Sequence, residues 1–160
     1  MKKYFLLFLL PLVFYVACLP SNIFEKNISL NRNRWEQNYM PTFTFDITDT
    51  VADYLIYFNI RHTDAYPYSN IWLKVKTKMP GATMFTETNT EIPLAQTDGK
   101  WLGRGMNEIW EQQMPMTNNG SHVHFSKPGT YTIALQQIMR MEALPEIMSV
   151  GIRLERIPKE

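Results

Sequence analysis

The chain has 160 residues, 16 Lys and Arg against 15 Asp and Glu, 45% apolar residues, 19% charged residues and a single Cys. That length suits one domain, and so apolar a composition excludes an intrinsically disordered chain. A formal net charge of +1 gives no surplus of cations for neutralising phosphates, which excludes nucleic acid as the expected partner. One Cys excludes an intramolecular disulfide, so stability must come from a hydrophobic core.

Met1-Lys2-Lys3 opens the chain with positive charge, and Tyr4 to Ala17 follow with none. The pattern predicts a secretory signal over residues 1–17. A spanning helix needs ~20 apolar residues, and this run stops short at Cys18 and Pro20. The only Cys stands directly behind it in Tyr15-Val16-Ala17-Cys18, which is similar to a bacterial lipobox, with Tyr15 where Leu is usual. The expectation is cleavage before Cys18, a diacylglyceryl group on its thiol and acylation of the new N-terminus, with palmitate as the expected chain. Two or three chains at ~0.8 kcal/mol per buried CH₂ hold a protein on a bilayer, so the mature chain is expected to be anchored by lipid rather than to span. Leu19-Pro20-Ser21-Asn22 carries no acidic export tag, which favours a periplasm-facing position in the cell envelope. Residues 18–40 are polar and rich in Asn, and are expected to form a lipidated tether and first strand region in which Trp35 folds back on the core.

From residue 41 to 160 the prevailing period is two, the pattern of half-buried strands. Phe43, Phe45 and Ile47 form one apolar face; Tyr54, Ile56, Phe58 and Ile60 a second; Ile71, Leu73 and Val75 a third, opposite Trp72, Lys74 and Lys76. Tyr131, Ile133 and Leu135, then Val150, Ile152 and Leu154, make two late strands. Turn chemistry separates them at Asp64 to Tyr68, Pro80-Gly81, Asp98-Gly99, Asn118-Asn119-Gly120 and Pro128-Gly129. Asp98-Gly99 predicts a two-residue hairpin turn. Asn107 to Gln113 fits helix or strand equally, and Leu144 to Met148 suggests one helical turn after Pro145. Many short strands with regular turns predict an all-β antiparallel sandwich of jelly-roll type.

Catalytic constellations are missing from the residues. There is no Gly-x-Ser-x-Gly elbow, no phosphate-cradling glycine loop and no nucleophilic Cys once Cys18 is lipidated. His122 and His124 share a face at metal-ligand spacing without a third donor, which reads as solvated loop histidines. Glu108 and Glu111 would fall on opposite faces of a strand, unlike a glycosidase pair. Gly103-Arg104-Gly105 reads as a bulge or bend rather than an anion site. The expectation is therefore no enzyme, no cofactor and no metal. The aromatics near turns, Tyr66, Tyr68, Trp72, Trp101 and Trp110, are the remaining candidates; Tyr66, Tyr68, Trp72 and Trp110 are taken as partner or glycan contacts, with Trp72 foremost because it lies opposite an apolar strand face.

Tyr57-Phe58-Asn59-Ile60-Arg61-His62-Thr63, followed by Tyr66-Pro67-Tyr68-Ser69-Asn70-Ile71-Trp72-Leu73, resembles the signature of the gliding motility lipoprotein GldH family. Leu94-Ala95 with Gly99-Lys100-Trp101-Leu102-Gly103, Gly129-Thr130-Tyr131 leading to Gln137-Ile138-Met139-Arg140, and Leu144 to Ile147 with Val150 to Glu155 agree in the same order. Asn89-Thr90-Glu91 departs from a more usual Asp-Thr-x-Glu. The resemblance covers about residues 40 to 155 and implies an envelope lipoprotein of gliding motility, associated with type IX secretion, whose partners are other envelope proteins and the membrane. It assigns Cys18 alone a role, and leaves Arg61, His62, Tyr68, Asn70, Trp72, Trp101 and Arg140 as signature residues. Arg61 and Asn70 are expected to satisfy backbone groups near the Tyr66-Pro67 turn, and Trp101 to close the Asp98-Gly99 hairpin on the sheet. The competing reading is a glycan-binding lipoprotein sandwich.

Overall fold

The computed structural model describes residues 22–117 and 120–157. The expected signal peptide and Cys18 lie outside the described residues, as do Asn118 and Asn119 of one expected turn. In chain order the strands are β1 (Asn22–Ser29), β2 (Arg34–Glu36), β3 (Thr42–Ile47), β4 (Asp53–Thr63), β5 (Asn70–Lys78) and β6 (Thr86–Pro93), then β7 (Arg104–Met106), β8 (Ile109–Pro115), β9 (Val123–His124), β10 (Gly129–Gln137), β11 (Ala143–Pro145) and β12 (Ile147–Arg156). One sheet runs β1-β12-β4-β8-β7 with β9 beside β4, a second runs β3-β10-β5-β6, and β11 and β2 form a two-stranded ribbon. Every pairing is antiparallel.

The apolar faces read from the sequence are the faces that meet. Phe43, Phe45 and Ile47 of β3, Ile71, Leu73 and Val75 of β5, and Tyr131, Ile133 and Leu135 of β10 are buried from one sheet. Tyr54, Ile56, Phe58 and Ile60 of β4 and Val150, Ile152 and Leu154 of β12 are buried from the other. Each such side chain contributes about 1.5–3 kcal/mol by leaving water. Aromatic rings close the space between the sheets: Phe24 packs on Phe45 at 5.4 Å, and Phe125 meets Tyr54 at 5.2 Å and Tyr131 at 4.6 Å.

The structure fills in two expectations and corrects two, the hairpin at Asp98-Gly99 and the helical turn after Pro145. The described part of residues 18–40 holds the first strand, β1, paired with β12 from Asn22 to Ser29, and Trp35 folds back on the core, fully buried with its Nε1–H donating to the Tyr39 carbonyl at 3.0 Å. Gly151 lets β1 come this close: a Cβ there would lie 2.6 Å from the Lys26 carbonyl oxygen. The Asp98-Gly99 turn has a three-residue loop, since the Gln96 carbonyl accepts from Gly99, the Lys100 carbonyl accepts from Gln96, and only Gly99 takes positive φ, +86°. Of the two readings open for Asn107 to Gln113 the structure takes the strand: a two-residue turn, with Asn107 and Glu108 at φ 50° and 64°, leads into β8. Leu144 to Met148 is not helical either. Glu146 turns the corner at φ 65°, where its carbonyl accepts the Thr63 N–H and its carboxylate accepts the Thr63 hydroxyl at 2.7 Å.

Strand register defines two ends of the sandwich. Asn22 pairs with Glu155, Asp53 with His124, Ile47 with Gly129 and Lys78 with Thr132, so these positions lie at a near end together with loops 48–52 and 79–85. The far end carries the start of β5, loop 138–142, the β7–β8 turn and the β2–β11 ribbon.

A candidate contact cleft at the far end

Period two on β5 turns Ile71 and Leu73 into the core and Asn70 and Trp72 outward. Trp72 remains 39% exposed. Tyr68, one turn earlier, is half-buried and meets the Tyr66 ring edge-on at 5.8 Å. These side chains form one wall of a cleft of about 440 Å³, and Ile138, Met139 and Arg140 form the other. Two stretches that carry the family resemblance, far apart in sequence, thus share one surface.

The second wall is loop backbone, and a buried amide braces it. The inward face of Tyr131, Ile133 and Leu135 continues to Gln137, which is fully buried. Its Nε2 donates to the Met141 carbonyl at 2.9 Å and, at 3.4 Å each, to those of Trp35 and Glu142; its Oε1 accepts the Met139 N–H at 2.9 Å. The Trp72 backbone is tied to the same loop, its carbonyl accepting the Ile138 N–H at 2.9 Å and its N–H facing the Met139 sulfur at 3.2 Å. With these groups satisfied, the cleft keeps its shape before any partner arrives.

Behind Tyr68 the packing is aromatic. Tyr66 is 3% exposed and its hydroxyl donates to the Asn70 carbonyl at 2.9 Å; burial pushes its pKa well above the ordinary phenol range. His62, on the inward face of β4, meets the Trp101 ring at 4.6 Å and the Tyr66 ring at 5.6 Å. Its Nδ1 lies 2.8 Å from the Thr63 carbonyl, which makes Nδ1–H the donor. Burial holds its pKa below the usual imidazole value, the Thr63 hydrogen bond opposing in part, so the ring is neutral at pH 7. Trp101 bridges to Ala95 across the short hairpin and so presses it on β4.

Of the four expected contact aromatics, the structure brings Tyr68 and Trp72 together. Tyr66 has no surface to offer and packs behind Tyr68. Trp110 stands on β8 in the other sheet, its ring against Gly105, where a Cβ would fall 2.7 Å away. Asn70 does not cap backbone, because its side-chain amide donates to the Glu91 carboxylate; Arg61 is exposed and lies 4.0 Å from Glu111. Glu108 occupies the β7–β8 turn and Glu111 the exposed face of β8. His124 lies 3.5 Å from Asp53, and among the described residues no three His, Cys, Asp or Glu gather around one point. Ile138, Met139 and the bracing role of Gln137 escape the sequence reading. The available signal was a polar residue at a core position of a period-two strand.

What the cleft offers is an exposed indole, a phenol, a thioether and one guanidinium on a braced frame. Trp, Tyr and Arg are the residues that most often anchor protein interfaces, and Met adapts to apolar partners. A larger depression of about 520 Å³ beside β2 is lined by Ser29, Arg32, Arg34, Glu36 and Tyr39, where Arg34 lies 3.8 Å from Glu36.

The chain matches the family model described as GldH lipoprotein over residues 22–154. It is 26% identical to the "Gliding motility lipoprotein GldH homolog" of Christiangramia forsetii, over 94% of this chain and 93% of that protein. It is 28% identical to the "Gliding motility lipoprotein GldH" of Flavobacterium johnsoniae, over 92% and 93% respectively. Among solved structures, the infectious bursal disease virus VP2 subviral particle is similar at a TM-score of 0.20 and 13% identity, over 84% of this chain and 42% of that one, which carries no argument.

Proposed function

The chain belongs to the GldH lipoprotein family, and from that premise we propose that it is a noncatalytic lipoprotein of the gliding motility and type IX secretion apparatus, lipidated at Cys18 and working through protein contacts made by the far-end cleft. The relatives' names support membrane anchoring in the cell envelope. The single observation that carries the contact reading is the convergence of Tyr68, Asn70, Trp72, Ile138, Met139 and Arg140 on one braced surface. In this reading the protein faces the periplasm, where the cleft meets another envelope component.

A glycan reading draws on the same exposed Trp72, since an indole face stacks on sugars. It is the weaker one, because sugar recognition needs several polar groups beside the ring, and Asn70 is engaged with Glu91. Crosslinking in cells followed by purification from membranes decides between them. Recovery of other envelope proteins, lost in Trp72→Ala with the fold intact, is the expected result. Recovery of the protein alone, with binding on a glycan array that Trp72→Ala removes, would favour the sugar.

A further inference from the structure

We propose that the near end of the sandwich rests on the bilayer that holds the lipid anchor, with the tips of loops 48–52 and 79–85 dipping into the headgroup layer. The inference uses the lipidation of Cys18 proposed above and adds an orientation to it. Cys18 precedes Asn22 by four residues, a reach of at most about 14 Å at full extension. The near end is thereby kept within a headgroup layer's depth of the anchor.

The surface at that end suits the contact. Val51 lies on one loop, Met84 on the other with Met79 and Phe85 at its two ends, and Ile23 lies at the start of β1 at the same end; all five are exposed. Water-facing loops do not ordinarily gather exposed apolar side chains at one end of a domain, and such a group marks a surface meant to be covered. Apolar surface continues inward from Met79 into a slot of about 250 Å³ lined by Phe45, Ile56, Phe125, Tyr131 and Ile133.

The charges agree. The acids at this end have partners: Asp46 accepts the Thr130 hydroxyl at 2.6 Å, Asp49 lies 3.4 Å from Arg156 and accepts the Val51 and Ala52 N–H groups, and Asp53 lies 3.5 Å from His124. Lys78 and Lys127 have no carboxylate partner among the described residues; Lys78 instead holds its ammonium 5.7 Å from the Phe85 ring centroid. Cationic heads on apolar stems beside apolar tips fit a phosphate-bearing interface, where the stem lies in the apolar layer and the head reaches the phosphates.

Met84 and Met106 give matched probes, 80% and 76% exposed at opposite ends. Met84→Cys and Met106→Cys, made in the full lipidated protein, each receive an environment-sensitive fluorophore, Cys18 being blocked by its lipid. The proteins are reconstituted in phosphatidylethanolamine and phosphatidylglycerol vesicles containing nitroxide-labelled lipid. The expected result is a blue shift and loss of emission at position 84, with neither at position 106. Equal quenching at both positions, or none at 84, overturns the proposal. Sedimentation with vesicles reads the anchor separately: a Cys18→Ser chain that still sediments like the parent removes the lipidation reading, while the quenching pattern continues to report the orientation.

Discussion

The two ends of the sandwich are both braced by buried side chains, and they differ in the surface they present. At the far end, buried side chains fix loop backbone around a cleft: Gln137 holds residues 139–142 and Tyr66 holds Asn70, while the Gln37 backbone N–H bonds the Glu142 carbonyl at 2.7 Å. At the near end Tyr54 and Tyr131 hold the Asp49 and Lys127 carbonyls and Asp49 caps Val51 and Ala52, yet the side chains the loops present, Val51 and Met84, are apolar and face outward. A surface that must match one partner benefits from a frame fixed in advance, because less freedom is lost on binding. A surface that meets fluid lipid depends instead on the apolar side chains it presents.

The largest effect should come from removing the far end's central wedge. Trp35→Ala deletes a fully buried indole and is expected to cost about 3–5 kcal/mol, read by urea denaturation. Gln137→Leu should cost about 1–3 kcal/mol by leaving the Met141 carbonyl and Met139 N–H without their partner. Hydrogen exchange should then show loss of protection in residues 138–142 with loops 48–52 and 79–85 unchanged. Equal loosening at both ends would mean that the two are not separately built.

The buried imidazole gives a pH test of the aromatic packing at the far end. His62 is held below its ordinary value of ~6.5, so below that pH the unfolded chain binds a proton that the native chain refuses. Its contribution is full at neutral pH and is lost as pH falls from about 6.5 toward its own depressed value. Stability measured from pH 7.5 to 5 should therefore fall less in His62→Leu than in the parent. Parallel curves would show that His62 does not titrate as its burial implies.

How far the sequence carries to this picture depends on whether a residue's role is local or assembled. Phe43, Tyr54, Ile71, Tyr131 and Val150 could be read as core because a strand's period is a property of adjacent residues. Tyr68 and Trp72 could be named because aromatics near turns are few. That Met139 and Arg140 stand opposite them was not legible, since it depends on the β10–β5 register pairing Gln137 with Leu73, which no local pattern sets. The left-handed Glu146 was missed for a similar reason: the Thr63 hydroxyl and N–H that hold it come from a distant strand. Where propensity alone decided, Leu144 to Met148 was assigned the wrong element.

The smallest effects on stability should be the most informative about function. Trp72→Ala removes an indole that is 39% exposed and is expected to cost about 1 kcal/mol, and Met84→Ser, at a side chain 80% exposed, is expected to change unfolding by no more than about 0.5 kcal/mol. Their consequences should nonetheless part company. Trp72→Ala is expected to reduce crosslinking to envelope proteins and leave the position-84 label quenched by lipid. Met84→Ser should leave crosslinking as it is and weaken the quenching of a label at Val51, on the neighbouring loop. If Met84→Ser abolished protein crosslinks as fully as Trp72→Ala, the near end would be a protein interface as well, and the side chains presented would not be what separates a partner surface from a lipid surface in this fold.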